Sequence, residues 1–338
     1  MVPAFSIYYP TSTSQAAVTP SLVALLPSAP TIRSRIATAV EQTMKMRPCF
    51  NVKHFRTRTE SMFTWAKEED GRGAAGTSAN NANAKADLAR SIFFPTTCAQ
   101  TPVTPGPRPA PTLSFFASVS VAYALGVLVC KENETTSDID TQKAGVASKN
   151  PRLEDNRATS SQKAAAWNKY SASGLFALSR QAMTAFEMVH TYDLDAVITY
   201  LLQIIYLLHD SRSRVAHFLY PLLGKVIHIG QMMGLSTDPD EFPGKYNLFE
   251  AEQRRRIWWD IYYYDVFVSD AIGQAPSIQD GTFTTKLPAD VDEEQFGLPS
   301  TSLPLPLPRR AGGDPTEVGF AYFIQKCRFV LVPLYTLF

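Results

Sequence analysis

Residues 194–209 read LDAVITYLLQIIYLLH, and this stretch decides the fold class. Its apolar side chains fall on every side of a helix and leave almost no polar face, which is typical of a helix at the centre of a core. No run of strict apolar and polar alternation elsewhere in the chain competes with it as a strand. We therefore predict an all-α fold with residues 194–209 at its centre.

The helical pattern continues on both sides of this stretch. An apolar stripe predicts one helix over 164–189. A further helix over 215–234 contains Pro221, whose ring should kink it or begin a new segment. Gly234 ends that helix as a left-handed cap, and Leu235 supplies the apolar side chain that folds back. These signals predict three neighbouring helices in one core.

Another helix begins near Asn247. Asn247 with Glu250 three residues later approximates a capping box. Apolar residues from Ile257 onward line one face of this helix, and Gly273 and Pro276 stop it. An extended segment follows, so the helix is predicted to be the last long one before a Pro- and Gly-rich loop.

The rest of the chain alternates between helical patterns and long polar insertions. We predict disorder over 1–30, a basic helical segment over 31–70, and a low-complexity, Pro-rich linker over 71–111. Residues 112–338 hold the main helical domain, which includes a last amphipathic helix over 318–331. The chain ends on apolar residues without a stop signal, so we predict truncation at the C-terminus. The expected fold is an irregular multi-helix domain with long disordered insertions.

Two segments have compositions that permit other roles. Residues 113–130 carry no charge over a length that can span a bilayer, but their serines and the lack of a second such segment favour a buried helix. Residues 31–70 combine basic and aromatic side chains, as nucleic-acid-binding segments do. Phe55, Met62 and Phe63 recur at helical spacing, so we favour a core face beside a solvated basic face. We expect no membrane contact.

Composition and spacing argue against several function classes. The net charge of +1 speaks against bulk attraction to nucleic acid. The cysteines and histidines lack the close spacing of zinc sites, and no phosphate-binding loop or nucleophile elbow is present in the sequence. Asp260, Asp265 and Asp270 spread around a helix and do not build a magnesium cage. We therefore predict that the protein is not an enzyme and that this chain holds no cofactor or metal.

The most specific signal is a set of short motifs in fixed order between residues 234 and 288. They are Gly234-Leu235 with Asp238-Pro239, then Glu250 and Glu252 before Arg254-Arg255-Arg256-Ile257-Trp258-Trp259, then Tyr264-Asp265, Gly273 to Pro276 with Ile278, and Leu287-Pro288. In this order and spacing the chain resembles the middle homology region of fungal zinc-cluster transcription factors, also called the xylanolytic transcriptional activator regulatory domain. The resemblance is best over 194–298.

The resemblance implies a regulatory or interaction domain of a nuclear regulator of RNA polymerase II genes. Its expected partners are other transcription regulators or a second copy of the chain, with a metabolite as an effector. Ser236 and Gln274 stand where the family has His and Arg. The family reads DNA through a six-cysteine module that holds zinc, and the scattered cysteines here do not form one. We therefore expect no direct DNA binding by this chain.

Two alternatives stay open beside this interpretation. The first is a stand-alone helical scaffold or decoy that derives from such a factor and acts by association. The second, less favoured, is a helical small-molecule enzyme.

The motif residues are expected to act structurally. Successive arginines on a helix point about 100° apart, so one of them reaches the tryptophan side, where it stacks on indole or pairs with a carboxylate. Arg256 and Asp260 are four apart and are predicted to meet on the surface. Asp265 needs a partner, either an arginine of this run or a backbone turn near Gly273. The set that we call the signature clamp is Gly234, Leu235, Arg254, Arg255, Arg256, Trp258, Trp259, Asp265, Gly273, Pro276 and Pro288.

Overall fold

The computed structural model describes residues 17–74, 112–144, 170–210, 215–305 and 319–330. Within these ranges the chain forms nine α-helices, one short 3-10 helix and no β-strand. The helices are α1 (Pro20–Val23), α2 (Pro30–Met44), α3 (Val52–Ala74), α4 (Leu113–Ala144), α5 (Ala172–Val189), α6 (Leu194–His209), α7 (Val215–Met232), α8 (Leu248–Ile272) and α9 (Gly319–Val330). The 3-10 helix is Pro239–Glu241. The prediction of an all-α fold is confirmed.

Helices α4 and α6 form the centre of the core. Every side chain of α6 from Ala196 to Leu207 is buried, as its unbroken apolar pattern predicted. The apolar half of α4, residues 113–127, is buried as well. Helix α4 packs against α2, α5 and α6, while α7 connects α6 to α8, and α9 packs on α8. The signature clamp on α8 forms part of the same core, in which Trp258 and Trp259 are buried.

The serines of α4 form hydrogen bonds that suit this long apolar helix to the interior of the protein. By length and composition Leu113–Glu132 could cross a membrane, yet 89% of its most apolar window is buried in the protein. Ser114 Oγ donates to Asp193 Oδ2 at 2.7 Å, and Ser118 Oγ and Thr199 Oγ1 lie 2.7 Å apart. These buried hydroxyls join α4 to the start of α6, which is the environment predicted for residues 113–130.

The N-terminal residues depart from the expected disorder over 1–30. Residues 17–30 are folded, because Thr19 caps α1 and the side chains of Val23 and Leu26 are buried. Their apolar side chains are too few to show a helical period, so only tertiary contact reveals their role. Residues 1–16 lie outside the described ranges, as does residue range 75–111 of the predicted linker.

The basic segment, predicted to be helical, forms the two helices α2 and α3. Phe55 and Met62 are buried, which confirms the core face. Arg58 departs from the expected solvated basic face, because it is buried and bonds both oxygens of Asp195 at 2.7 and 2.6 Å. Its guanidinium also lies 3.7 Å from the ring centroid of Phe115. The basic charge here partly serves packing between α3, α4 and α6.

The remaining helices follow the prediction with shifted ends. Helix α5 begins at Ala172, where Ser171 Oγ accepts from the N–H of Gly174 at 3.3 Å. Residues 164–169 of the predicted helix lie outside the described ranges. Helix α7 includes Pro221 as one element, so no new segment begins there. Helix α9 falls within the predicted range 318–331.

The cysteines of the described ranges, Cys49, Cys130 and Cys327, are all buried. Cys98 lies outside the described ranges.

Candidate functional site

Helix α8 carries the central part of the signature clamp. Asn247 caps its start by accepting from the N–H of Glu250 at 2.8 Å, and Gly273 ends it in the left-handed conformation at φ 70°. An amphipathic surface helix would expose its charges. Here the charged residues of α8 between Glu252 and Asp265 are buried instead, including Arg255 and Asp260, while Asp270 near its end is exposed. Each buried charge therefore needs a partner from another part of the chain.

Arg255 lies at the centre of a carboxylate cluster. Its Nε and Nη2 donate to the two oxygens of Asp238 at 3.0 and 2.8 Å, and its Nη1 donates to Glu252 at 2.6 Å. Asp240 also lies 2.8 Å from Nη2. We call Arg255, Asp238, Glu252 and Asp240 the Arg255 cluster. It ties the loop after α7 to α8 through a bidentate pair, which is the strongest geometry for such a contact.

Backbone N–H groups complete the Arg255 cluster. The N–H of Lys286 donates to Asp238 at 2.8 Å, and that of Ala289 donates to Glu252 at 2.8 Å. Burial alone would raise the pKa of Asp238, but the bonds from Arg255 and from the N–H groups of Lys286 and Asp240 hold that pKa well below its ordinary value. The bond to Asp238 raises the pKa of Arg255, so the guanidinium stays charged. Both charges persist at neutral pH.

Arg254 fixes the end of helix α7. Its Nη2 donates to the carbonyl of Met233 at 2.8 Å, and its guanidinium lies 4.2 Å from the ring centroid of Tyr246. Gly234, which follows Met233, has a φ of 70°, and its N–H donates to the carbonyl of Gln231. The N–H of Leu235 donates to the carbonyl of Gly230 at 2.9 Å. These two bonds form a Schellman cap. The predicted glycine cap is therefore present, with an arginine holding it.

Arg256 is fully buried, and the expected surface pair with Asp260 is wrong. Arg256 Nη2 lies 2.6 Å from Glu293, whose other carboxylate oxygen accepts from Asn51 at 2.8 Å. Asp260 is equally buried and pairs with Lys326 of α9 at 3.4 Å. Both residues face inward, and each finds a partner far away in the sequence, which spacing along one helix does not reveal.

The two tryptophans hold the segment after α8. Trp258 is fully buried and contacts Phe283 at a centroid distance of 5.6 Å. Trp259 Nε1 donates to the carbonyl of Lys286 at 2.8 Å. Arg255 and Arg256 pair with carboxylates, which was the second expected arrangement. The tryptophans thus anchor residues 283–286 against the helix.

Asp265 binds the backbone turn that follows α8, which was one of the two predicted partners. Its two oxygens accept from the N–H groups of Ser277 and Ile278 at 3.1 and 2.7 Å. Burial raises the pKa of Asp265, and these bonds oppose the rise. Pro276, just before the turn, is half-buried, and Pro288 is buried near the end of the segment. The turn is fixed to α8 by one carboxylate.

The structure brings the signature clamp together around α8, along with residues that the sequence did not single out as its partners. These partners are Asn51, Asp238, Glu252, Glu293 and Lys326. Asp238 and Glu252 belong to the motifs quoted from the sequence, so the sequence does point to them. Asn51, Glu293 and Lys326 come from distant segments, and no motif marks them. In the described ranges no group of three or more His, Cys, Asp or Glu side chains could hold a metal ion.

The comparison with protein families agrees with this geometry. The model of the fungal specific transcription factor domain matches residues 119–324, which run from α4 to α9 and include the whole signature clamp. The chain belongs to this family. The predicted resemblance is thereby confirmed, and the family and the relatives below are transcription factors rather than enzymes.

Curated relatives match shorter parts of the chain. Zn(2)-C6 fungal-type transcription factor pigI of Monascus ruber is 33% identical over 42% of this chain and 16% of its own length. C6 finger domain transcription factor hasF of Aspergillus fumigatus is 33% identical over 26% of this chain and 11% of its own. Pyrrolocin cluster transcription factor fsdR of a fungal species is 28% identical over 42% and 17%. The matches thus span less than a fifth of these relatives, and no solved structure matches the chain.

Proposed function

We propose that this chain is the regulatory and interaction domain of a fungal transcription regulator. The observation that carries the proposal is the family match over 119–324, which coincides with one continuous helical core and with the signature clamp. The proposed partners are other transcription regulators or a second copy of the chain. A small metabolite is proposed as an effector, and the nucleus as the site of action.

The burial of the signature clamp supports a structural rather than a contact role for its charges. Arg255 and Asp265 are buried and hydrogen-bonded to groups of the same chain, and the buried Arg256 is ion-paired with Glu293. A buried residue that is satisfied internally does not meet DNA or a partner directly. The clamp therefore supplies a rigid frame, and the proposed regulatory contacts use other surfaces.

DNA recognition is proposed to depend on a separate zinc-binding module, as the names of pigI and hasF indicate for those relatives. The basic segment of this chain already uses part of its charge internally, since Arg58 is buried against Asp195. The net charge of +1 gives no bulk attraction to phosphates. We therefore expect salt-sensitive DNA binding to be weak or lacking for the 338-residue chain.

A reporter assay tests the proposed role. The full chain is fused to an unrelated DNA-binding domain in yeast, and reporter output is compared with that domain alone. We expect a several-fold change in output. Unchanged output, with the fusion shown to be present in the nucleus and bound at its site, would contradict the regulatory role.

Variants of the clamp distinguish a frame from a contact surface. Arg255→Met should lower the melting temperature and the reporter effect together, while Arg56→Met on an exposed pair should change neither. A variant with an unchanged melting temperature and a lost reporter effect would show that Arg255 contacts a partner. Sequencing the transcript upstream gives a separate test, because an in-frame six-cysteine cluster favours the regulator over the stand-alone scaffold.

A further inference from the structure

Two adjoining clefts lie between helices α5, α6 and α7, away from the signature clamp. One has a free volume of about 250 Å³ and the other of about 290 Å³. They share the lining residues Arg180, Gln203, Phe218 and Leu222, so a ligand can use both. Each volume corresponds to roughly eight to ten waters of liquid, which suits a small metabolite.

The cation available in these clefts is Arg180. It has no ion-pair partner among the described residues, although it lines both clefts. In the second cleft Lys225 is already paired with Glu187 at 2.5 Å, and His217 also lines this cleft. Asp210 lines the first cleft and is engaged in another interaction. A planar guanidinium without a partner at a cleft is suited to a carboxylate.

A buried amide supplies a second, independent polar group. Gln203 is only 2% exposed, and its Nε2 donates to Ser179 Oγ at 3.1 Å. No described residue donates a hydrogen bond to its amide oxygen, which keeps some solvent exposure at the cleft. An amide oxygen that is open to solvent can accept a hydrogen bond from a ligand. Because Gln203 lines both clefts, a ligand hydroxyl can donate to this oxygen.

Aromatic side chains form the apolar wall. Phe176 is stacked on Tyr206 at a centroid distance of 4.3 Å, and both line the first cleft. Phe218 lines both clefts and is 55% exposed, which is unusual for a large apolar side chain on a core helix. Leu222 lies beside it in the lining. An aryl or branched aliphatic group would cover this wall.

We propose that the two clefts bind a small hydroxy acid with an aromatic or branched apolar group. Its carboxylate pairs with Arg180, its hydroxyl donates to the oxygen of Gln203, and its apolar group covers Phe176 and Phe218. This proposal deepens the proposed function. It rests on that function only where the bound acid is interpreted as an effector of the transcription regulator.

The position of the clefts gives such a ligand a route to the signature clamp. It would contact three helices, and the last of them, α7, ends at the cap that Arg254 holds. Asp238, the partner of Arg255, follows a few residues later. Occupancy that moved α7 would therefore change the frame around α8.

Calorimetric titration of the purified 338-residue chain tests the binding site. The probes are 3-phenyllactate, its neutral amide 3-phenyllactamide, and 3-phenylpropanoate, which lacks the hydroxyl. We expect saturable binding of 3-phenyllactate with a Kd below about 1 mM. The amide should bind about 10- to 100-fold more weakly, because it loses the charge-assisted bond, and 3-phenylpropanoate about 5- to 10-fold more weakly.

Variants assign the binding to the named residues. Arg180→Gln should weaken binding of 3-phenyllactate about 10- to 100-fold. Arg328→Gln, on an exposed arginine of α9, is the matched control and should leave the Kd unchanged. Gln203→Leu should weaken 3-phenyllactate and leave 3-phenylpropanoate unaffected. Arg180→Lys, which keeps the charge, should fall between wild type and Arg180→Gln, and thermal unfolding checks that each variant is folded.

Three outcomes would overturn the proposal. They are the lack of saturable binding up to 10 times the expected Kd, equal binding of acid and amide, and a Kd that Arg180→Gln does not change. The reporter fusion separates this result from the proposed function. Binding that depends on Arg180 together with unchanged reporter output would uphold the cleft and contradict its regulatory use.

Discussion

Replacing Arg255 by methionine is the sharpest test of the clamp. Arg255→Met keeps an unbranched side chain of similar reach and removes the charge that faces Asp238 and Glu252. The side chains of both carboxylates are only 2% exposed, so neither can be solvated by water in compensation. The variant thus leaves two buried negative charges that are held by backbone N–H groups, with the Lys286 ammonium 3.9 Å from Asp238.

The expected cost follows from the burial of these partners. Breaking a buried ion pair by removing one member costs about 3 to 5 kcal/mol, out of a total domain stability of about 5 to 15 kcal/mol. The triple variant Arg255→Met, Asp238→Asn, Glu252→Gln removes the stranded charges and should recover about 1 to 2 kcal/mol of this loss. The triple variant should therefore be more stable than the single one, although it has fewer ion pairs.

Urea unfolding at pH 7 provides the measurement. Arg56→Met is the matched control, since Arg56 pairs with Glu41 at 3.0 Å while half exposed, and it should cost less than about 1 kcal/mol. A loss of under about 1 kcal/mol for Arg255→Met, or a triple variant less stable than the single one, would refute the reasoning from buried charge.

The pH dependence gives an independent check of the same cluster. The pKa of Asp238 is lower in the folded state than in the unfolded chain, where it is near 3.9. Its stabilising contribution is therefore complete above that pH and disappears as the pH falls toward the folded pKa. The difference in unfolding free energy between wild type and Arg255→Met should narrow from about pH 5 downward. A difference that stayed constant to pH 3 would contradict the assignment.

Three further predictions concern other parts of the fold. Asp265→Ala leaves two backbone N–H groups without an acceptor, and urea unfolding should show a loss of about 2 to 4 kcal/mol, with a loss under 1 speaking against the turn contact. Gly126→Ala places a methyl group 2.9 Å from the carbonyl oxygen of Ile36 and should destabilise the fold by about 1 to 3 kcal/mol. Gly224→Ala meets open space and should stabilise the fold by about 0.5 to 1 kcal/mol. A higher calorimetric melting temperature for Gly126→Ala than for Gly224→Ala would contradict the packing. Burial and the nearby carboxylate of Asp195 raise the pKa of Asp193 to about 6, so the free energy of unfolding falls as the pH rises from about 4 to 6. Asp193→Asn keeps the cap of α6 and should remove this pH dependence, with a gain of about 1 to 2 kcal/mol at pH 7 in urea unfolding. An unchanged pH dependence would show the assignment to be wrong.

Much of the fold could be predicted because its signals are local. The stretch 194–209 is apolar on every side, and it became the buried helix α6 with the same bounds. The caps at Asn247, Gly234 and Gly273 depend on neighbouring residues only, and the structure has all three. Helix position and helix ends follow from such short-range chemistry.

The partners of buried charges could not be predicted in the same way. The pair of Arg256 and Asp260 fits helix spacing, yet each residue binds a group that folding brings from elsewhere, Glu293 and Lys326. Spacing along one helix indicates which side chains can meet, but it does not identify the distant segment that supplies a partner. The 17–30 segment was missed for the same reason, since only the surface that it covers reveals its role.

The burial of α4 also bears on how the chain is made. Residues 113–127 are covered by α5 and α6, and α6 ends only at His209, so synthesis must continue well past α4 before its apolar surface can be shielded. At roughly 5 to 20 residues per second this interval lasts on the order of several seconds. During this interval the uncharged residues 113–130 stay exposed on the nascent chain and resemble a membrane segment. Faithful production of this protein should therefore depend on chaperones that hold nascent apolar helices until the covering helices emerge.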